Sequence, residues 1–298
     1  MRILLFIFLI SLLSCQEQPT VLSESITSAQ LPQEWYKGDA EISVYELQQN
    51  RYNAIHPGQV VTVFVTEDFL TDKQVKNDNY TSDNSTGVLK MNRIKRFTTG
   101  IYDYSIFSSV FTNVKKSKTY KVTTSSQDWC GQSYMQLNRD RNNYKVQVRS
   151  YFENEGDTES KVKAVLAEDE IPNLIRLDTK SLPLGDIELL PSTEYTRLKH
   201  IKFDILKGKA STGIYVGTNF TGNTLRYYTI EIPTERRAIT YVYEDTDMKK
   251  IVGWTDTYPS AFDKKPRTTI AKLKFQKWLP YWNMNGLDDA DIRNELGI

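Results

Sequence analysis

Cysteine and histidine are the scarcest reactive residues in this 298-residue chain, with two of each. Cys15 and Cys130 cannot build a disulfide framework, so stability must come from packing. His56 and His200 lie far from Cys130 in sequence, without the local spacing of a zinc site, and no metal ligand set is expected. Charge of one sign is missing too. Lys and Arg total 38 against 37 for Asp and Glu, so no basic excess marks a nucleic-acid partner. No apolar run reaches the roughly 20 residues of a membrane-spanning helix. A Gly-x-Ser-x-Gly elbow, a P-loop and a dinucleotide fingerprint are all absent, and no cofactor is implied.

What is present begins at Met1. Arg2 precedes an unbroken apolar stretch, Ile3 to Ile10, and Leu12-Leu13-Ser14-Cys15 follows. A short basic region, an apolar core and a small residue have the layout of an export signal. A cysteine directly after that small residue resembles the lipobox of bacterial lipoproteins, in which the thiol is acylated (palmitate and related chains) and becomes the first residue of the mature protein. The expectation is a signal peptide over 1–14, a lipid anchor on Cys15 and a polar tether over 15–33. The implied location is the outer membrane of a cell envelope, on its periplasmic or surface face. With Cys15 acylated, Cys130 is left as a single thiol, expected to be buried as a small apolar group.

From Glu34 onward, apolar residues recur with a period of two. Val61, Val63 and Val65 share one face; Tyr102, Tyr104, Ile106 and Val110 share another; Tyr144, Val146 and Val148 oppose Lys145, Gln147 and Arg149. This is the pattern of antiparallel strands with one wet face. A dozen or so such strands are too many for one flat sheet. The fold class expected is therefore mainly β: one or more large curled antiparallel sheets, or an open barrel of meanders. The β-rich domain covers 34–298, with possible sub-sheets at 34–156 and 178–298 joined by a helical segment. That central helix is placed at Ser160–Glu170, where Val162, Val165 and Leu166 have helical spacing. A short C-terminal helix is placed at Leu287–Leu296, with acids in its first turn and Gly297 as its stop.

Four stretches carry a family resemblance: Phe64-Val65-Thr66-Glu67-Asp68-Phe69-Leu70, Thr99-Gly100-Ile101-Tyr102-Asp103-Tyr104-Ser105, Asp128-Trp129-Cys130-Gly131-Gln132 and Arg197-Leu198-Lys199-His200. Together they resemble uncharacterised envelope lipoproteins of Bacteroidetes, over most of the mature chain. Some members carry the label "septum formation inhibitor Maf". Maf proteins are cytosolic α/β nucleotide pyrophosphatases with a Ser-rich, Arg-containing opening, which this strand-rich chain lacks, so that activity is not carried over. Tyr228 to Pro233, Val252-Gly253-Trp254 and Leu273 to Trp282 also resemble periplasmic half-barrel proteins. Neither resemblance supplies catalytic residues.

Among single residues Cys130 is the sharpest candidate. A nucleophilic thiolate needs a base, His56 or His200, and an orienting carboxylate such as Asp128 or Glu194. Trp129, Trp278, Tyr281 and Trp282, with Trp35-Tyr36, could line a cavity for lipid or sugar. The basic groups Lys115-Lys116 with Lys118, and Arg93 with Lys95-Arg96, are read as solvated faces. The expectation is a non-catalytic lipoprotein that binds a hydrophobic or glycan envelope component or a partner protein. The alternative is an enzyme with Cys130 as nucleophile and a His base.

Overall fold

The computed structural model describes residues 31–80, 82 and 84–298. The export signal, Cys15 and most of the expected tether lie outside these residues. Leu31 is already buried and Gln33–Tyr36 forms a 3-10 turn, so the fold includes the last residues of the segment assigned to the tether.

The chain first runs as a long meander. Its strands are β1 (Ala40–Arg51), β2 (Ala54–Leu70), the short β3 (Val75–Lys76), β4 (Ser85–Thr99) and β5 (Tyr102–Asn113). It continues through β6 (Thr119–Asp128), β7 (Gly131–Asp140), β8 (Asn143–Ser150) and β9 (Thr158–Lys163). A central segment follows, with β10 (Leu166–Ala167), α1 (Ile171–Leu177), β11 (Gly185–Leu190) and α2 (Thr193–Lys199). A second meander closes the chain: β12 (Leu206–Ile214), β13 (Leu225–Ile232), β14 (Arg237–Glu244), β15 (Ile251–Pro259) and β16 (Pro266–Leu279), then α3 (Ala290–Leu296).

All sixteen strands described belong to one sheet, in which β16 pairs antiparallel with β1 and so joins the two meanders. The sheet is curled around the central segment. Strands well separated in sheet order converge on α2: Thr193 meets Thr124 of β6, Glu194 meets Lys95 of β4, and Tyr195 lies under Arg237 of β14. The two edge strands, β9 and β10, are consecutive in the chain, and Lys163–Glu188 at 2.8 Å bridges that seam.

Two local expectations are corrected. Ser160–Glu170 is not an α-helix: Val162 pairs with Tyr144 across β8 and β9, Glu168–Glu170 is a single 3-10 turn, and α-helix begins only at Ile171. Pro172 sits in the first turn, where its missing N–H is no loss, so it starts α1 instead of ending a helix. Arg93 and Lys95 are not solvated. They share the parity of Leu89, Met91 and Phe97, which faces the interior, and they are buried there. Arg93 meets Asp169 at 3.1 Å and Glu194 at 3.6 Å, while Lys95 pairs with Glu194.

These ion pairs hold the central segment to the sheet wall. Arg237 grips Glu168 through both terminal nitrogens, at 2.7 and 2.6 Å, and its Nε bonds Asp256 at 2.7 Å. Burial opposes the charge on Arg237, but Asp256 and Glu168 prevail and carry its pKa well above the ordinary value. Burial likewise works against Glu194, yet Lys95 and Arg93 hold its carboxyl below the usual range. On the outer face, Ile42, Val44, Val63 and Val65 pack under Leu296 of α3. That helix and its Gly297 stop (φ +69°) lie where the sequence places them.

Candidate functional site

A meander alternates its turns between two ends. One end carries the turns after β1, β4, β6, β8 and β15, together with α2; the other carries the chain entry at Leu31. Three of the four resemblance motifs gather at the α2 end, because turns there belong to different hairpins of one curled sheet.

Helix α2 is fixed first. Ser192 Oγ accepts the Glu194 N–H at 3.2 Å and donates to Asp169 at 2.9 Å, a capping arrangement that orients the helix start. The helix ends at His200 in the left-handed conformation, φ +53°. Arg197, one turn earlier, points to the sheet rim. Its Nη2 donates to Asp128 Oδ2 at 2.8 Å and its Nη1 to His200 Nε2 at 3.1 Å. Since a guanidinium can only donate, Nε2 is the acceptor and the ring proton sits on Nδ1, which donates to Glu155 Oε1 at 2.6 Å. The guanidinium also lies over the Phe152 ring, 4.3 Å from its centroid. Arg197 Nε is buried and has no partner among the described residues.

Glu155, Arg197 and His200 edge a cavity of about 340 Å³ between α2 and the strands β6 to β9. The volume falls within the range of small-ligand sites. Its floor is apolar, from Met135, Val146, Val148 and Phe203, and most of the wall is carbon. Ser133 and Ser160 add hydroxyls from β7 and β9.

The predicted site residues divide among three places. Asp128 and His200 belong to the Arg197 cluster. Cys130 is next to it in the β6–β7 turn, where its N–H donates to Asp128 Oδ1 at 2.8 Å. Its thiol is exposed, not buried, because a two-residue hairpin turn offers no core to bury it in. Both His200 nitrogens are already engaged, so neither is open to take the Cys130 proton. His56 Nε2 faces the Arg51 carbonyl at 3.2 Å, and Glu194 is committed to Lys95. Trp129 is 68% exposed on the same rim and lies 6.2 Å from Tyr102, centroid to centroid. Trp278 sits at the opposite end, packed edge-on against buried Trp35 at 4.8 Å. Tyr281 and Trp282, also at that end, line an open groove of about 1030 Å³ with Tyr36. The four aromatic candidates therefore do not form one surface.

Sequence reasoning misses Arg197 and Phe152, and reads Glu155 only with Glu153 and Asp157, as acids at a strand end that face solvent. The signal for Arg197 was its place in a resemblance motif; nothing local distinguished Glu155 among the acids of the β8–β9 loop.

No protein-family description and no curated protein matches this sequence. Among solved structures the chain is similar to the beta-barrel-like protein of a domain of unknown function from Brucella abortus. That similarity has a TM-score of 0.47 and 9% identity, over 80% of this chain and 97% of that one.

Among the described residues, no three His, Cys, Asp or Glu side chains are grouped to hold a metal ion, and no helix is long and apolar enough to cross a membrane.

Proposed function

We propose that this protein is a binding lipoprotein of the cell envelope, anchored to the outer membrane through Cys15, and that the cavity beside α2 takes a neutral amphipathic envelope component. The anchor rests on the sequence from Arg2 to Cys15. The binding reading rests on one observation: a largely apolar cavity of about 340 Å³ is edged by the buried Arg197 and by the Ser133 and Ser160 side chains.

The cavity chemistry favours a neutral polar group. Arg197 is already neutralised by Asp128, and the His200 proton is directed to Glu155. An ester or hydroxyl group can hydrogen-bond Ser133 and Ser160, with an apolar chain against Val146, Val148 and Phe203. A nucleophilic role for Cys130 lacks the base it requires.

The test is titration with an uncharged fluorescent monoacylglycerol. Saturable binding with one probe per chain is expected, and Val146→Trp, which fills the floor, should weaken it at least tenfold with folding intact. Equal binding by the filled variant would contradict the proposal.

A further inference from the structure

The end of the sheet opposite α2 combines two features that arise from distant parts of the sequence. One is a basic group. The β5–β6 turn carries Lys115, Lys116 and Lys118, and the neighbouring β7–β8 turn adds Arg141. None of these four forms a salt bridge among the described residues, although the chain as a whole is nearly neutral. The acids around the adjoining groove are already engaged: Glu67 with Lys90, Asp78 with Lys76 at 3.1 Å, and Asp68 with Asn77 at 2.6 Å. Burial holds Lys118 below the ordinary lysine value, and the Arg139 and Lys116 charges add to that. Asp140 faces Arg141 in the β7–β8 turn, whereas Lys115, Lys116 and Lys118 crowd one turn and repel one another, and an external anion would relieve that repulsion.

The other feature is aromatic. Tyr36, Tyr80 and Trp282 are 57%, 73% and 44% exposed, and all three line the same open groove as Lys115. Exposed Tyr and Trp beside lysines is the composition of a surface that sits at a membrane interface, where rings enter the headgroup layer and lysines meet lipid phosphates. The chain enters the described structure at this same end, at Leu31, five residues before Tyr36.

The geometry points to this end, with Tyr36 and Trp282 beside the Lys115-Lys116-Lys118 turn, as a docking surface for an anionic lipid bilayer. The surface is independent of the cavity at the α2 end. A bilayer held here leaves that cavity facing away from the membrane, open to a ligand from the other side.

The test uses the chain carrying Cys15→Ala, so that no acyl chain contributes, and co-sedimentation with vesicles. Binding is expected to phosphatidylcholine vesicles containing phosphatidylglycerol, to weaken steeply with added salt, and to be far weaker with phosphatidylcholine alone. Each basic residue near an anionic surface is worth about a factor of five, so Lys115→Gln/Lys116→Gln/Lys118→Gln should lose about a hundredfold. These side chains lie in a surface turn, and an unchanged melting temperature will show that folding is retained. Equal binding to both vesicle types, or a triple variant that binds like its parent, would overturn the inference. The salt dependence of the parent chain decides the matter without any variant.

Discussion

Arg197 and Asp128, 69 positions apart in the chain, meet at 2.8 Å with both side chains almost wholly buried. The contact ties the end of α2 to the β6–β7 turn and fixes one wall of the cavity. Removing one partner leaves the other charge buried and unpaired. Asp128→Ala should therefore cost about 3–5 kcal/mol in urea unfolding, whereas the paired change Asp128→Asn/Arg197→Met should cost clearly less. Equal losses in the two variants would mean that the ion pair does not hold this rim.

Glu170 gives a pH dependence of defined sign. Burial raises its carboxyl above the ordinary 4.5, against hydrogen bonds from Thr119 and the Ala167 N–H and the charge of Arg139. The folded protein thus holds this proton more tightly than the unfolded chain does. Its contribution to stability is greatest at low pH and declines as pH rises from about 4.5 through the raised value. Glu170→Gln removes that decline and keeps the acceptor oxygen. Relative to the parent, the variant should gain stability between acid and neutral pH, as read from urea midpoints. A constant difference across that range would contradict the assignment.

Cys130 is exposed in its turn. A thiol reagent should modify it in the folded protein nearly as fast as in denaturant, and Cys130→Ser should change stability by no more than about 0.5 kcal/mol. Protection of the thiol in the native state would show that the β6–β7 turn packs differently.

Much of the sheet was legible because strand parity is a local signal. Tyr104, Ile106 and Val110 are buried as their alternation requires, while Phe107, of the other parity, is exposed. The same signal exists for Arg93 and Lys95, which alternate in step with Met91 and Phe97, but their charge argues for solvent, and the buried Asp169 and Glu194 that receive them lie far along the chain. Val162, Val165 and Leu166 have helical spacing by coincidence, since Val162 belongs to an edge strand and Leu166 to the next. The short α2 has too few residues for periodicity, though Pro191-Ser192 before it and Arg197 and Lys199 at its end are start and stop signals. The site was least legible. The cluster of Asp128, Arg197, His200 and Glu155 exists only because three separate connections meet at one end of a curled sheet.

The central claim, a small amphipathic molecule in the cavity beside α2, is tested most directly by a native mass spectrum of the protein purified gently from its own envelope. The account predicts a single extra mass beyond the acylated chain, uncharged once extracted, and its loss in Val146→Trp. An acylated chain with nothing bound, or a bound mass that persists in the filled variant, would contradict it.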